Sequence, residues 1–242
     1  MALIRGNRFD NTLYAEAGDK VNAFAGDDEV SVAAGDPSVL RDTTILLGRG
    51  NDTVTGGQDQ TGHIWAGVGN DAVYWFGSGQ IVGGKGDDLL IAMDNSALYG
   101  DEGPGLAPSA AGNDIMLSQA TPAGGVSTQT GGNGFDWHVF NAQFDGLGGA
   151  SACVVTDFQA GQDKVAMTLS YGLPAGGGYL NSAQIWSVLD TNADGVLNGT
   201  DVPWDANSGT AVVDGSLHLR LHDDTLVIAH TTAITTADWL FT

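Results

Sequence analysis

The sequence is poor in cysteine, proline and long apolar runs. It contains a single cysteine, Cys153, so a disulfide framework within the chain is excluded. Its six prolines do not fit a collagen-like chain or a proline-rich linker. No run of about 18 apolar residues occurs, so no membrane-inserted helix is expected. The apolar run in the N-terminal stretch MALIRGNRFD is too short for a secretory signal peptide.

Basic side chains are also scarce. The 242 residues include 8 Lys and Arg against 29 Asp and Glu, which gives a net charge of −21. Such a surface repels phosphate groups, so nucleic acid and anionic membranes are not expected partners. A hard cation is the natural counterion. The chain is nevertheless 42% hydrophobic with six Trp, so it has the material for a folded core.

Familiar catalytic motifs are missing as well. The sequence contains no H-E-x-x-H zinc signature, no G-x-S-x-G nucleophile elbow and no P-loop. Its five histidines are scattered without partners at a suggestive spacing. These absences predict a protein that is not an enzyme.

Glycine, in contrast, is abundant at 37 residues, about twice its usual share of roughly 7%. Much of it recurs in short cassettes with aspartate, and in most of them an apolar residue follows the aspartate by two positions. The cassettes are AGDKV (17–21), AGDDEV (25–30), GRGNDTV (48–54), GVGNDAV (67–73), GGKGDDLL (83–90), GNDIM (112–116) and GGNGFDWHV (131–139). The recurrence of this short cassette along the chain indicates a repeat architecture.

These cassettes resemble the G-G-x-G-x-D-x-U-x nonapeptide of RTX proteins, in which U is a large apolar residue. The resemblance implies a parallel β-roll whose glycine turns and aspartate oxygens hold several Ca²⁺ ions, while U faces inward. The implied calcium ligands are Asp19, Asp28, Asp52, Asp71, Asp88, Asp114 and Asp136. A metal-free β-helix, in which aspartates only cap backbone amides, is the alternative.

The spacing also predicts which cassettes stack. Two nonapeptides make a coil of about 18 residues, and Asp52, Asp71 and Asp88 follow one another by 19 and 17 residues. We therefore expect these three side chains to lie on one edge of the roll, one coil apart. Residues 56–62, 76–80 and 93–97 do not match the motif and are expected to form the opposite edge.

The predicted fold is all-β, with a β-roll over residues 1–150 and a capping region over 151–242. Segments 101–114, 120–130 and 141–150 are rich in Gly, Ala, Ser, Thr and Pro and are expected to be insertion loops. VVTDFQAGQDKVAM (154–167) resembles the segment that closes many RTX domains. The tail predicts antiparallel strands around a hairpin turn at Asp214 and Gly215. Because the repeats start early in the sequence, no catalytic domain is expected.

A second calcium motif lies in LDTNADGVLNGTDV, residues 189–202. It resembles the loop of EF-hand and dockerin modules, with Gly195 at the turn and a helix expected before it in NSAQIWSVL. The implied ligands of the loop at 190–201 are Asp190, Asn192, Asp194, Val196 by its carbonyl, Asn198 and Asp201. An Asx-rich turn without metal is the alternative reading.

The last residues, AITTADWLFT, resemble the uncleaved C-terminus of proteins exported by type I secretion. Together the resemblances imply a secreted protein, extracellular or at the cell surface, that folds on calcium. Three roles stay open: a structural, adhesive or self-assembling protein that contacts copies of itself or a surface or particle scaffold; a folding and secretion module of an exoenzyme such as a protease or lipase; and, suggested only by the six Trp, a carbohydrate-binding module.

Overall fold

The computed structural model of the chain describes residues 1–36, 39, 41–93, 95–101, 112–144, 149–171, 178–201 and 208–241. Within these ranges the fold is nearly all β, as predicted, with two long parallel sheets, antiparallel strands toward the C-terminal end and one α-helix. That helix has eight residues. Within the described ranges, no helix is long and apolar enough to cross a membrane.

The two large sheets take alternate strands from the chain. Sheet A contains, in spatial order, β1 (Leu3–Asn7), β3 (Lys20–Ala25), β5 (Asp42–Arg49), β7 (Thr61–Val68), β9 (Ser78–Lys85), β11 (Ser96–Tyr99), β13 (Gly125–Thr130), β15 (Ser151–Val155), β21 (Asp224–Ile228), β20 (Ser216–Leu221) and β19 (Ser208–Val213). Sheet B contains β2 (Thr12–Ala15), β4 (Glu29–Val32), β6 (Thr53–Gly56), β8 (Ala72–Trp75), β10 (Leu89–Met93), β12 (Ile115–Gln119), β14 (Trp137–Phe144), β16 (Lys164–Tyr171) and β17 (Gly178–Leu180).

One strand of each sheet makes a coil, and equivalent residues of successive coils stack in register. In sheet A, Ile45 pairs with Ile64 and Ile64 with Ile81. In sheet B, Val54 pairs with Val73 and Val73 with Leu90. All six side chains are fully buried, because alternate residues of each strand point between the two sheets. The apolar U positions of the cassettes therefore form the core wall, as predicted.

Two kinds of turn join the sheets. We call the turns that lead from sheet A to sheet B the Asp edge (26–28, 50–52, 69–71, 86–88, 131–136 and, before β12, 112–114) and those that lead back the far edge (16–19, 57–60 and 76–77). On the Asp edge Gly69 has a φ of 138°, and a Cβ there would collide with the carbonyl oxygen of Gly50 in the preceding coil. Only glycine fits both the backbone angle and the close stacking of coils.

The structure corrects the expected loop at 120–130. Its second half forms β13, which pairs in parallel with β11 and β15. Its inward residues, Ser127 and Gln129, are fully buried but polar, so the segment lacks the apolar alternation that marks the other strands. For the other two expected loops, residues 102–111 and 145–148 lie outside the described ranges, while 141–144 belong to β14.

Those polar residues belong to a layer inside the roll. Ser118, Ser127, Gln129 and His138 are fully buried between two hydrophobic clusters, one centred on the early coils and one on the later coils and cap. The Gln129 amide donates to the Ser118 hydroxyl (3.0 Å) and to the Val139 carbonyl (3.0 Å). Neither ring nitrogen of His138 has a partner within the part of the chain that the structure describes. The core is therefore interrupted by a polar layer formed by β12, β13 and β14.

The C-terminal residues close the roll. The hairpin of β19 and β20 turns at Asp214 and Gly215, with φ of 50° and 76°, which confirms the predicted turn. Helix α1 (Ser182–Leu189) lies after β17, and Trp186 packs edge-on against Trp239 with ring centroids 5.4 Å apart. Both sheets continue past residue 150, through β15 and β16, so the division into 1–150 and 151–242 stays a prediction.

Candidate functional site

The Asp edge brings the predicted aspartates of the roll into one column. Six of the seven lie there, one per coil, and each is at most 2% exposed: Asp28, Asp52, Asp71, Asp88, Asp114 and Asp136. Strand pairing between coils places neighbours one strand spacing apart, about 4.8 Å. The predicted stacking of Asp52, Asp71 and Asp88 is confirmed, and the column extends beyond them at both ends.

Within the column each carboxylate uses one oxygen in the same way. The backbone N–H of Asp52 donates to Asp71 Oδ1 (2.7 Å), and that of Asp71 donates to Asp88 Oδ1 (2.7 Å). The pattern continues from Asp88 to Asp114 and from Asp114 to Asp136, at 2.8 and 2.9 Å. The aspartates therefore do cap backbone amides, as the metal-free alternative supposes, but with Oδ1 only.

The other oxygen is left without a donor. Oδ2 of all six column aspartates is buried and has no hydrogen-bond partner among the described residues. A Cβ added to Gly83 would collide with Asp88 Oδ2 and with the carbonyl oxygen of Gly100. Asp88 Oδ2 and the Gly100 carbonyl oxygen therefore border one space, and this space is open only because residue 83 is glycine. Buried oxygens without a hydrogen-bond donor fit a hard cation, which takes carboxylate and carbonyl oxygens as ligands.

The column is electrostatically costly without a counterion. Burial is the largest cause that raises the pKa of its carboxyls, and neighbouring carboxylates raise it further, whereas the backbone hydrogen bond opposes the rise. From an ordinary 3.8, the pKa becomes about 6 for Asp52, about 7 for Asp71 and Asp136, and about 8 for Asp88 and Asp114. Near neutral pH the column therefore needs protons or a cation to neutralise its charge.

A second, exposed row runs beside the column. The residue before each column aspartate is Asp or Asn in most coils, and its Oδ1 accepts the backbone N–H of the next coil. Asn51 N donates to Asp27 (2.8 Å), Asn70 N to Asn51 (2.8 Å) and Asp87 N to Asn70 (3.0 Å). The repeated Asx-Asp dipeptide in the sequence is the signal for this row.

Asp19, the seventh predicted ligand of the roll, lies apart from the column. It sits on the far edge and accepts backbone hydrogen bonds from Ala2 (2.5 Å) and Glu16 (3.1 Å). The reason is the spacing, because Asp19 precedes Asp28 by nine residues, half a coil. Its hydrogen bonds, chiefly the one from Ala2, lower its pKa, opposite to the shift in the column.

Further acids near the column, beyond the row beside it, were not among the predicted ligands. Asp163 Oδ1 accepts the Asp136 N–H (3.1 Å) and so continues the ladder by one coil. Asp101 Oδ2 accepts the Asn133 N–H (2.7 Å), and Asp157 accepts from Gly131 and Gly132 at 3.0 and 2.8 Å. Asp163 follows Gly161 and precedes Val165 by two residues, a degenerate copy of the cassette that could have indicated it.

The loop at 190–201 forms a separate acidic group. Carboxylate oxygens of Asp190, Asp194 and Asp201 lie within 4.8 Å of one another, and this group could hold a metal ion. Oδ1 of Asp190 and of Asp201 is buried and has no partner in the described ranges, and Asp201 is only 6% exposed. Burial, followed by the charges of Asp194 and Asp190, raises the pKa of Asp201.

The helix expected before this loop is present as α1. Its N-cap Asn181 accepts the Gln184 N–H (2.9 Å), and the Gln184 side chain accepts the Asn181 N–H (3.0 Å), a capping box. Inside the loop, Asn192 Oδ1 accepts the Asp194 N–H (3.0 Å), while Gly195 makes the turn with a φ of 78°. In the sequence, Pro203 limits any helix after the loop, and this residue lies outside the described ranges.

The second half of the loop pairs with the C-terminal segment. Val196, predicted to contribute its carbonyl, begins β18 (Val196–Asn198), which pairs antiparallel with β22 (Ala233–Thr235). Leu197 and Ile234 face each other in this pair and are both fully buried. The acidic loop is thus joined directly to the strand that precedes the chain's last residues.

No model of a known protein family matches the chain, and its comparison with characterised proteins gives no match. The site is therefore interpreted from its own geometry: a column of buried carboxylates along one edge and a compact acidic loop in the cap.

Proposed function

We propose that the protein is an RTX-like calcium-binding protein that folds on extracellular calcium and has a non-enzymatic structural, adhesive or self-assembling role. One observation carries the proposal: the column of buried carboxylates, each with an Oδ2 that lacks a donor. Buried unpaired charges are strongly unfavourable. Several Ca²⁺ ions between successive coils would neutralise them and use the glycine-flanked carbonyl oxygens as further ligands.

The loop at 190–201 is proposed as a further calcium site. Asp190, Asp194 and Asp201 would supply carboxylate oxygens, with Asn192 and the Val196 carbonyl completing the set implied by the EF-hand resemblance. An ion there would hold α1 and β18 together and, through β18, fix β22. Calcium would therefore organise the cap as well as the roll.

Export and folding would then be linked. At low intracellular calcium, repulsion along the column would keep the chain loosely folded and able to pass an exporter of the type I kind. Extracellular modules bind calcium at roughly 10⁻⁴ to 10⁻³ M, so folding would follow release outside the cell. We propose an extracellular or surface location on this basis.

A folding and secretion module of an exoenzyme is the alternative. It is favoured by β1 and β2, which end the two sheets and leave one side of each strand unpaired among the described residues, so that further coils could be added there. Finding the sequence fused to a protease or lipase domain in its natural protein would support this alternative.

Calcium titration of the purified chain tests the proposal, with circular dichroism for strand content and calorimetry for binding. We expect little ordered β-structure in chelator and cooperative folding near millimolar calcium, with several ions bound. A chain that is fully folded in excess chelator, and unchanged by calcium, would contradict the proposal.

A further inference from the structure

The outward face of sheet B carries large apolar side chains in its middle strands. Strand β10 reads LLIAM and β12 begins IML, whereas β4 reads EVSV and β6 reads TVTG with regular alternation. Continuous apolar runs in parallel strands are typical of sheets that are buried on both faces. The inner face of these strands packs in the roll core, so the sequence indicates that the outer face is also covered.

Strand register arranges these side chains in two straight rows, which we call the sheet B patch. The first row is Ala72, Leu89, Ile115 and Trp137, and the second is Tyr74, Ile91, Leu117 and Val139. At about 4.8 Å between strands the patch is roughly 14 Å long. Trp137 is 40% exposed, and the other seven side chains are partly exposed. None of the eight is charged, in a chain of net charge −21.

Opposite charges stand at equal distances on either side of the patch. The first row continues through Thr53 to Glu29 in β4, and at its other end to Lys164 in β16. Leu89 is the midpoint, because three strand steps separate it from Glu29 and three separate it from Lys164. A half turn about Leu89 therefore brings the Glu29 end of the row to the position of the Lys164 end.

We propose that the sheet B patch binds the same patch of a second copy, about a two-fold axis that runs parallel to the strands through Leu89. This rotation sets Glu29 opposite the partner's Lys164 and Thr53 opposite the partner's Trp137. It also sets Ala72 opposite the partner's Ile115. In the first row Trp137 and Ile115 then meet smaller side chains, Leu89 meets the partner's Leu89, and opposite charges meet, which suits an isologous interface.

A second copy fits this face better than a charged partner does. Two copies repel each other wherever carboxylates dominate the surface, so they can approach only through a surface without them. Two sheets that pack face to face lie about 10 Å apart, which leaves room for the facing rows to interdigitate. A second copy of the chain as the partner specifies the self-assembling role, so this inference rests on the proposed function.

The first test measures the mass of the full chain in millimolar calcium by sedimentation equilibrium over a range of concentrations. We expect a reversible dimer for the wild type and a monomer for Ile91→Lys, which places a charge in the patch. Leu46→Lys is the matched control, because Leu46 is an outward apolar residue on sheet A and 43% exposed. It should stay dimeric. A monomeric wild type, a larger assembly, or equal loss in both variants overturns the proposal.

Charge reversal tests the alignment. Glu29→Lys should raise the dimer dissociation constant about tenfold, since it opposes two positive charges, and Glu29→Lys with Lys164→Glu should restore it to within about threefold. A double variant no tighter than the single one overturns the proposed axis. Lys164 also donates to the Ala237 carbonyl. If Lys164→Glu impairs folding by circular dichroism, a Glu29→Gln variant as weak as Glu29→Lys overturns the axis instead.

Calorimetry on the same samples separates this proposal from the proposed function. A wild type that binds several calcium ions yet stays monomeric overturns the dimer and leaves calcium-dependent folding intact. A dimer that forms without any calcium binding supports the interface and contradicts the proposed function.

Discussion

Asp88 shows how one residue type could serve both folding and the proposed ion binding. Its Oδ1 accepts the Asp71 N–H at 2.7 Å and its backbone N–H donates to Asp114, so it joins three coils. Its Oδ2 is buried without a donor. An aspartate offers both functions, whereas an asparagine keeps only the first, because its second polar atom is a donor.

Asp88→Asn therefore predicts two effects of opposite sign. In chelator the variant should be more stable than the wild type, since it removes a buried charge. In calcium it should require a roughly tenfold higher concentration to fold, because the site loses an anionic ligand. Circular dichroism in chelator, followed by calcium titration of the same samples, measures both effects.

Asp87→Asn is the control for this prediction. Asp87 is the exposed neighbour whose Oδ1 accepts the Asn113 N–H (2.8 Å), and asparagine retains that oxygen. Its calcium requirement should stay within about twofold of the wild type. An equal rise in the calcium requirement of Asp88→Asn and Asp87→Asn would contradict a calcium site at the column.

His138 predicts a gain in stability on replacement. Its ring is fully buried with both nitrogens unpartnered, so His138→Met should stabilise the folded chain by about 1–3 kcal/mol at neutral pH. Burial lowers the pKa of His138 from 6.5 to about 3. A lowered pKa in the folded state means that stability is lost as pH falls from 6.5 toward 3, so the gain should grow over that window.

Thermal unfolding in calcium at several pH values measures this gain. His63→Met on the partly exposed face of sheet A is the control and should leave stability within about 0.5 kcal/mol. A His138→Met variant less stable than the wild type at every pH would indicate that the ring has a bound partner, such as ordered water.

At the scale of elements, the acidic loop, α1 and β22 form one connected unit. The Trp186 indole N–H donates to Asp190 Oδ2 (3.1 Å), and the same ring packs against Trp239 and Phe241 with centroids 5.4 and 5.8 Å apart. The Trp239 indole in turn donates to the Ser182 carbonyl (3.0 Å). An ion at the loop would therefore change the surroundings of two tryptophans.

Tryptophan emission should report this coupling. We expect a calcium-dependent change in emission, and Asp201→Asn should raise the calcium concentration that it requires by about tenfold or more. The transition of the roll, followed by far-ultraviolet circular dichroism, should move little. Asp214→Asn, in the β19–β20 turn, is the control for the loss of one acid from the cap. An emission change that is the same in all three proteins would contradict an ion site at the loop.

At the scale of the whole molecule, the column predicts that protons can replace calcium. Burial raises the pKa of Asp52, Asp71 and Asp136 to between about 6 and about 7, and of Asp88 and Asp114 to about 8. A raised pKa in the folded state means that stability is fully present below the ordinary 3.8 and is lost as pH rises through 6 to 8. In chelator, the roll should therefore be more stable at pH 5 than at pH 8, by at least about 2 kcal/mol.

Circular dichroism in chelator at pH 5, 6.5 and 8, with urea midpoints wherever the roll is folded, measures this dependence. Calcium-loaded protein is the control and should vary much less. The measurement belongs in the His138→Met background, because His138 acts in the opposite direction below pH 6.5. Stability that rises from pH 5 to pH 8 in chelator would contradict a column of uncompensated buried charge.

The sequence by itself determined the features that depend on local spacing. Glycine and aspartate at a period of nine predicted the parallel coils, the inward valines and leucines, and the stacking of Asp52, Asp71 and Asp88, because each turn is set by its own few residues. The Asp214-Gly215 turn and the helix before the acidic loop were predicted for the same reason. The cassette also identified Asp114 and Asp136 despite irregular segments before them.

Only the tertiary structure decided the features that depend on which coil meets which. Asp19 lies on the far edge because half a coil separates it from Asp28, and Asp163 joins the column although its cassette is degenerate. Strand β13 forms inside an expected loop because β11 and β15 supply its backbone hydrogen bonds. Its polar inward residues give no sign of a strand in the sequence. The pairing of β18 with β22 and the rows of the sheet B patch arise from contacts between residues far apart in sequence, which local spacing does not determine.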